Sequence, residues 1–331
     1  MKKMTILILI FLCAIVFVTF APFIGIESIS LESIVKPQNG DIKADIFWKI
    51  RIPRVMTAFC AGAALAISGM TFQALFRNPL ATPFTLGVSS GAAFGAAMYV
   101  KAGFIFSLFG ISGQSFSAFF GALLSILIVY GLTRAKKGFT TATMLLAGVA
   151  VSFFFSSLIL FIQYMSDFAN SFRIIRWLMG GFEIVGFQPL FNILPFVVTG
   201  SAVVFSLTHE LNLMTTGEDI AISRGVNVKG IKNLLFLATS LMVGGVVSMC
   251  GPIGFVGMMS PHICRLLIGA DHRYLTPVTF IFGGMFLTIC DTLSRIIIAP
   301  AEIPVGIITA LLGGPFFIWL LLSGSSERSI F

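Results

Sequence analysis

One stretch of the sequence matches the pattern G-x-S-x-G, which surrounds the nucleophile of serine hydrolases. It runs from Gly87 to Gly91 and offers Ser89 or Ser90 as the nucleophile. The signature requires a strand, a sharp turn and a helix, which together expose the serine hydroxyl. Here the pattern opens an apolar helical segment, so packing of small residues is the favoured interpretation. An intramembrane serine hydrolase is the less favoured alternative.

The residues that could bind a metal are scattered along the chain. The five cysteines lie in apolar runs without C-x-x-C spacing, and the three histidines form no ligand set with them. We therefore expect no metal, disulfide or resident cofactor. His262 lies in a short apolar segment, where an ionisable residue is a functional candidate. A hydrogen-bonded core histidine is the more ordinary interpretation.

Charged residues at two places could make strong hydrogen bonds. Arg51 and Arg54 flank a proline at the start of an apolar segment. Their forked guanidinium groups suit the carboxylates of an incoming partner, although anchoring at a membrane interface is an alternative role. Asp291, Arg295 and Glu302 lie near one end of the last two apolar segments and could pair with one another.

The longest charged interruption in the second half of the chain covers residues 208–232. Within it, the sequence TGED at 216–219 is typical of a helix start, with the Thr216 hydroxyl as cap and acids beside the positive end of the dipole. Gly225 suits a left-handed stop. The pattern predicts a short capped helix over 217–224 that contacts another protein. A solvated loop with one helical turn is the alternative.

The composition indicates a membrane protein. Of the 331 residues, 57% are hydrophobic, 10% are charged and 36 are Phe, and the mean hydropathy is +1.02. The net charge of +8 comes from basic residues spaced singly through short loops. This spacing is typical of membrane topology and not of a nucleic-acid-binding face. The expected partner is the lipid bilayer, and nucleic acid is excluded.

Apolar windows of about twenty residues predict ten membrane helices. They lie near residues 4–25, 53–76, 84–100, 106–132, 142–164, 188–207, 231–249, 252–268, 275–297 and 304–322. The first resembles a signal peptide, but its apolar run is long and lacks a clear cleavage site, so we expect a retained span. The polar segments 27–50 and 165–187 are expected at the outer interface, and residues 1–331 form one domain.

Topology and internal symmetry follow from this arrangement. With the N-terminus inside, basic residues favour the cytoplasmic side, most densely at 134–137, so both termini are predicted to be cytoplasmic. A weak repeat relates the second predicted span to the seventh. It matches Gly62, Gly69, Asn78 and Pro79 to Gly244, Gly251, Ser260 and Pro261. The offset covers an odd number of spans, as in inverted-repeat transporters.

Two stretches rich in Gly and Pro, 77–83 and 251–257, are expected to interrupt helices. Proline ends a helix, and broken backbone within a membrane is tolerated only where it is buried in protein or lines a cavity. Glycines spaced by three also allow helices to approach closely. Tight packing is favoured over direct ligand contact for any single glycine.

Taken together, these stretches resemble the FecCD family of ABC importer permeases, which move cobalamin, haem and ferric siderophores. The matching sequences run from residue 51 to 322 and include RIPRVMTAFCAGAALAISGM, RWLMGGF, GEDIAISRGV, GPIGFVGMMSPHICRLLIGADHR and AEIPVGIITALLGG. The resemblance implies an all-α integral membrane protein with the inverted-repeat permease fold. It also implies a homodimer with the substrate path at its two-fold axis, two cytoplasmic ATP-binding cassette subunits and an extracytoplasmic substrate-binding protein.

The same resemblance implies roles for individual residues. A coupling helix at 217–225 would contact the ATPase through Gly217, Glu218, Asp219, Ile220, Arg224 and Gly225. Carboxylates of the binding protein would be received by Arg51, Arg54 and Arg295. The cytoplasmic gate would be formed by Asn78, Leu80, Thr141 and Ala142. The family's cobalamin importer has a hydroxyl pair at the last two positions, and Ala142 breaks it, although Thr140 and Thr143 lie nearby.

We therefore predict the permease subunit of an ATP-driven metal-chelate importer in the cell membrane. Ferric siderophore is preferred as cargo, with haem or cobalamin as alternatives. The chain is not itself an enzyme, because it lacks the G-x-x-x-x-G-K-[ST] loop, and partner subunits would hydrolyse ATP. An ion-coupled secondary transporter is the alternative of another class. It is disfavoured because Asp291 is the only acid within the predicted spans.

Overall fold

The computed structural model describes residues 2–27, 29, 34, 41–108, 110–135 and 141–322. This part of the chain is almost entirely helical. The helices are α1 (Lys2–Phe20), α2 (Ile42–Asp45), α3 (Ile52–Phe76), α4 (Val88–Ala102), α5 (Gly113–Ala135), α6 (Thr141–Tyr164), α7 (Phe168–Leu178), α8 (Gln188–Ser206), α9 (Thr208–Thr216), α10 (Glu218–Ser223), α11 (Val228–Cys250), α12 (Val256–Ile268), α13 (His272–Ile296) and α14 (Val305–Leu322). A small hairpin pairs β1 (Ser107–Leu108) with β2 (Ile111–Ser112).

Seven helices in the described part are long and apolar enough to cross a membrane. The shorter helices α4, α12 and α14 account for the remaining predicted spans, so each of the ten predicted segments corresponds to a helix. The all-α membrane architecture is confirmed. The segment predicted near 106–132 begins only at Gly113, because the hairpin precedes it. The segment near 252–268 begins at Val256, after a non-helical stretch.

The two polar interfacial segments fold differently. In the first of these segments, residues 27–50, helix α2 is followed by a π-helical turn, Ile46–Arg51, which leads directly into α3. Residues 28, 30–33 and 35–40 of that segment lie outside the described residues, as do Lys136 and Lys137 of the basic cluster. The second segment contains the amphipathic helix α7. Its cap is Asp167, whose carboxylate accepts a hydrogen bond from the Asn170 N–H at 2.7 Å.

Helix α3 is the centre of the bundle and is buried along nearly its whole length. Small residues allow its neighbours to approach closely. A Cβ atom on Gly62 would overlap the carbonyl oxygen of Gly283 on α13, and one on Gly69 would overlap that of Gly257 on α12. Membrane helices pack through such small residues because lipid supplies no hydrophobic force between them. Of the glycines at 251–257 that were expected to serve packing, Gly257 does so, whereas a Cβ atom on Gly254 would meet open space.

The internal repeat appears in the pattern of helix contacts. It does not appear in the individual residues that the sequence matched. Helix α3 packs against α12 and α13, just as α11 packs against α4 and α5. The residue register taken from the sequence is wrong, however. Gly69 lies inside α3, whereas Gly251 ends α11 with a φ of 68°. The matched residues therefore do not occupy equivalent positions.

The glycine contacts predict a sharp difference between two substitutions of the same type. Gly69→Ala inserts a methyl group into backbone and should destabilise the protein by about 1–3 kcal/mol. Gly131→Ala, on an open face of α5 with no atom within 4 Å of the new Cβ, should be neutral or slightly stabilising. Thermal unfolding of the two variants in detergent measures this. Equal midpoints would contradict the packing account.

Candidate transport site

The predicted site residues fall at opposite ends of α13. This helix has 25 residues, or about 37 Å at 1.5 Å per residue. Its last turns carry Asp291 and Arg295, beside Arg54 in the first turn of the antiparallel α3. Its N-terminal end contacts α9, which leads into α10. We call these the arginine end and the α10 end.

Asp291 is the centre of the arginine end, with 0% of its surface exposed. Its Oδ1 accepts a hydrogen bond from Arg54 Nε at 2.9 Å, and its Oδ2 lies 3.3 Å from Arg295 Nε as an ion pair. Arg54 Nη1 also donates to Glu302 Oε2 at 2.8 Å. The predicted pairing of Asp291 with Arg295 is found. Glu302 pairs with Arg54, because the guanidinium group reaches both carboxylates.

The chain that follows α1 covers the other guanidinium groups. Arg51 donates to the carbonyl oxygens of Pro22 at 3.1 Å and Glu27 at 2.6 Å. Arg295 donates to the carbonyl oxygen of Ile24 at 3.1 Å. A Cβ atom at Gly25 would come within 2.7 Å of Arg51 Nη2, so a larger residue there would displace the guanidinium group. The role of Gly25 was not anticipated from the sequence.

The structure thus brings the three predicted docking arginines into one buried cluster. Arg51, Arg54 and Arg295 are all buried, and each has partners within the chain. Asp291 and Glu302 pair with Arg54 and Arg295, and Glu27 interacts electrostatically with Arg51. The three guanidinium groups are therefore balanced by carboxylates of the chain itself, of which Glu302 is 46% exposed.

At the other end, α10 begins after Gly217, whose φ is 152°. The predicted Thr216 cap is wrong: Thr216 is the last residue of α9, and its hydroxyl donates to the Leu213 carbonyl oxygen at 2.7 Å. A hydroxyl that bonds back into its own helix is not available to cap the next one. Gly225 is left-handed as predicted, with a φ of 82°.

Helix α10 is held on one side and exposed on the other. Glu218 Oε1 lies 2.6 Å from Lys232 Nζ on α11, and Ala221 is fully buried. On either side of Ala221 the helix exposes Ile220, 49% exposed, and Ile222, 58% exposed. Isoleucines beside exposed acids on a short helix form a surface suited to a protein partner.

The predicted gate residues lie at the α10 end of the bundle, because successive spans run in opposite directions and both the end of α3 and the start of α6 fall at that end. Asn78 follows α3, and its Oδ1 accepts from the Leu80 N–H at 2.9 Å, which leaves the Leu80 side chain exposed. Thr141 begins α6, with Ala142 exposed beside it. Thr140 lies outside the described residues. The sequence predicted that these residues lie on one side of the membrane. The directions of α3 and α6 in the structure agree with that prediction.

The two predicted helix breaks meet around one partly open cavity. Its volume is about 200 Å³. Thr82 and Pro83 line it from the first break, and Gly254, Phe255 and Gly257 line it from the second. Irregular backbone within the bundle is therefore buried in protein and borders a cavity, as the physics of a membrane requires.

The catalytic alternatives gain no support from the geometry. Ser90 donates to the Gly87 carbonyl oxygen at 3.0 Å, and Gly87 follows a 3₁₀ turn and not a strand. Within the described ranges, no group of three or more His, Cys, Asp or Glu side chains is placed to hold a metal. His262 is buried against the ring of Phe316, and its Nε2 has no hydrogen-bond partner.

Two polar contacts were missed because they join residues far apart in sequence. Arg265 on α12 donates to Gln73 Oε1 on α3. Asn212 on α9 donates to Asp271 Oδ1 at 2.8 Å, beside the start of α13. Partial burial alone would raise the pKa of Asp271, but hydrogen bonds from the Arg273 N–H and Asn212 lower it below its usual value. Asp271 is therefore ionised at neutral pH.

The fold and these two ends define a multi-pass membrane permease. The model of the FecCD transport family matches residues 7–323. The chain therefore belongs to the FecCD transport family, and it has the fold of ABC transporter permeases. A solved metal-chelate type ABC transporter in an inward-facing conformation superposes with a TM-score of 0.86 at 32% identity, covering 96% of this chain and 99% of that one.

Relatives with several cargoes are similar over most of their length. The hemin transport system permease HmuU of Yersinia pestis is 36% identical over 92% of this chain and 91% of its own. The cobalamin import system permease BtuC of Halobacterium salinarum is 43% identical over 82% of this chain and 72% of its own. The vitamin B12 import system permease BtuC of Salmonella newport is 38% identical over 84% of each.

The buried cluster predicts unequal costs for its two carboxylates. Asp291→Asn leaves buried Arg295 without its counter-ion and removes the buried one of the two carboxylates that pair with Arg54, so it should destabilise the protein by about 3–5 kcal/mol. Glu302→Gln changes a carboxylate that is 46% exposed and should cost no more than about 1 kcal/mol. Thermal unfolding in detergent compares them. A loss for Glu302→Gln as large as that for Asp291→Asn would contradict this assignment.

Proposed function

We propose that this chain is the permease subunit of an ATP-driven importer of a metal chelate, with a ferric siderophore as the first candidate. The observation that carries the proposal is α10, a short helix that presents Ile220 and Ile222 beside acidic residues. The chain has no phosphate-binding loop of its own. In an ATP-driven importer the energy would therefore enter through contact with another subunit, and the exposed surface of α10 suits that contact.

In this proposal α10 is the coupling helix that binds a cytoplasmic ATP-binding cassette subunit. The contact residues are Gly217, Glu218, Asp219, Ile220, Arg224 and Gly225. Gly217 and Gly225 bound the helix with backbone angles that favour glycine. Asp219 and Ile220 are exposed, whereas Glu218 is shared with Lys232. ATP-driven closure of two such subunits would move α10 and the elements joined to it.

The arginine end is proposed to receive an extracytoplasmic substrate-binding protein through Arg51, Arg54 and Arg295. The grouping of the three guanidinium groups in one cluster, beside a carboxylate that is 46% exposed, supports this role. Arg54 has one fully buried partner, Asp291, and one that is 46% exposed, Glu302. Carboxylates of the binding protein would approach from the exposed side and exchange with Glu302, while Asp291 holds the guanidinium in place.

Asn78, Leu80, Thr141 and Ala142 are proposed as the gate on the cytoplasmic side. Leu80 is exposed at the turn after α3, and α6 begins at Thr141 on the same side. Both chain termini would then be cytoplasmic. Two copies of the chain would form the substrate path at their two-fold axis. The low buried share of α6, 33% of its most apolar window, leaves a face available to a second copy or to lipid.

The proposed cargo follows from the cargoes of the relatives and from one residue, Ala142, that differs from the pattern of the family's cobalamin importer. The relatives include hemin and vitamin B12 permeases and a metal-chelate transporter. Ala142 lacks the hydroxyl that the resemblance associates with cobalamin import, which argues against a corrinoid. The ferric siderophore and haem, both chelates of iron, remain as candidate cargoes. We place the ferric siderophore first.

The coupling role of α10 predicts the effect of two point variants. Asp219→Lys reverses an exposed charge, and Ile220→Glu places a charge on the exposed apolar surface. Each should lower binding-protein-stimulated ATP hydrolysis about tenfold or more in liposomes that contain the chain and its ATPase subunit. The measurement is the rate of phosphate release. Asp219 is preferred over Glu218 because Glu218 also pairs with Lys232 inside the chain.

A matched control reverses an exposed acid at the arginine end. Asp45→Lys alters a side chain that is 64% exposed and paired only with Lys49 in the next turn. Its stimulated hydrolysis should equal that of the wild type. If all three variants behave like the wild type, α10 is not the coupling helix.

A further inference from the structure

Asn212 connects α9 to the start of α13 through both atoms of its side-chain amide. Its Oδ1 accepts from the His272 N–H at 2.8 Å, and its Nδ2 donates to Asp271 Oδ1 at 2.8 Å. The orientation of the amide is fixed by chemistry, because the backbone N–H can only donate and the carboxylate can only accept. His272 Nδ1 also lies 2.9 Å from the same oxygen.

This contact holds the residue that caps α13. Asp271 accepts from the Arg273 N–H at 3.1 Å and so satisfies a free N–H at the helix start. Asn212 binds the same carboxylate oxygen. A displacement of α9 therefore acts on the helix end itself and not on a flexible surface side chain.

Helix α9 is joined closely to α10 and firmly packed. Gly217 alone separates the two helices. Leu211 is fully buried and Met214 is 2% exposed, so both neighbours of the Asn212 turn are fixed in the core. Motion of α10 would therefore move α9 as a unit, and Asn212 would transmit it.

Helix α13 extends this connection across the bundle. Pro277 lies in its second turn, and no further proline occurs up to Ile296. The same helix carries Asp291 and Arg295, which form the buried cluster with Arg54. One continuous element thus joins the contact of Asn212 at the α10 end to the charged cluster at the arginine end.

We propose that Asn212 is a positioning residue that couples α10 to α13. Through it, the movement imposed on α10 by an ATPase subunit reaches the arginine end. This inference rests on the proposed function. Its competing interpretation is a hydrogen bond that stabilises the fold without carrying any coupling.

A reciprocal exchange of side chains separates the two interpretations. N212D removes the donor and sets two carboxylates against each other, which should break the link. D271N alone keeps an acceptor for both donors and should have little effect. In the double variant N212D/D271N, a carboxylate on α9 accepts from the His272 N–H and from an amide at the cap position. The hydrogen bond between positions 212 and 271 is restored, with the donor now at position 271 and the acceptor at position 212.

The measurement is the ratio of transported chelate to ATP hydrolysed, in liposomes that contain the chain, its ATPase subunit and its binding protein, with a ferric siderophore as probe. N212D should lower this ratio about tenfold while ATP hydrolysis continues. The double variant should restore the ratio to within about twofold of the wild type. N227D is the control: it is the same substitution at the cap of α11, where Asn227 Oδ1 accepts from the Gly230 N–H at 3.0 Å. It should leave the ratio unchanged.

The possible outcomes are distinct. If N212D lowers transport and hydrolysis in equal proportion, or if the double variant folds without restoring the ratio, the coupling role is overturned and Asn212 is only structural. If the wild-type chain associates with no ATPase subunit, the proposed function fails and this inference fails with it. Restoration of the ratio by the double variant supports the coupling role, because the ratio of transport to hydrolysis reports how the energy of ATP is used and not how much folded protein is present.

Discussion

The ion pair that Asp291 makes with Arg54 and Arg295 is the interaction on which the rest of this structure depends. A carboxylate in the apolar interior of a bundle is tolerated only when its charge is matched and its oxygens are bound. Here the matching groups come from α3 and α13, so the pair fixes the two central helices against each other. Further guanidinium N–H groups of Arg51 and Arg295 donate to carbonyl oxygens of residues 22–27.

Small residues on α3 add a second constraint to the ion pair, because they allow close helix packing. Gly62 and Gly69 let α13 and α12 come against the backbone of α3. The bundle is consequently rigid around α3, and the segments with exposed apolar faces lie at its periphery and its ends. This separation leaves α10 free to contact a partner while the helices behind it remain packed. It also disfavours ion-coupled transport, since Asp291 is fully buried and its charge is already paired with two guanidinium groups.

The sequence was sufficient for the helices and insufficient for their contacts. Apolar windows located ten helices, seven of them long and apolar enough to cross a membrane, because hydrocarbon thickness sets the length of a spanning helix. The Thr216 cap failed because a hydroxyl between two helices can bond to either, and here it bonds back into α9. The repeat register failed because Gly69 and Gly251 serve different purposes, one in packing and one at a helix end. The charged residues were recognised, but their partners were only partly anticipated.

The contacts that sequence could not supply are those between distant residues. Asn212 and Asp271 are 59 positions apart, and Arg54 and Asp291 are 237 apart. No periodicity links such residues, since each follows its own helix and only the tertiary packing brings them together. The cover at Gly25 is similar, because a glycine in a polar segment is ordinary until an arginine lies against it.

The most direct measurement of the whole account is uptake of an iron-55 siderophore into liposomes that contain the chain with its ATPase subunit and binding protein. We expect uptake that requires ATP on the cytoplasmic side, persists when proton and sodium gradients are collapsed, and exceeds the uptake of haem or cobalamin. Uptake driven by an imposed proton or sodium gradient without ATP would contradict the account. It would identify this chain as an ion-coupled transporter in spite of its family.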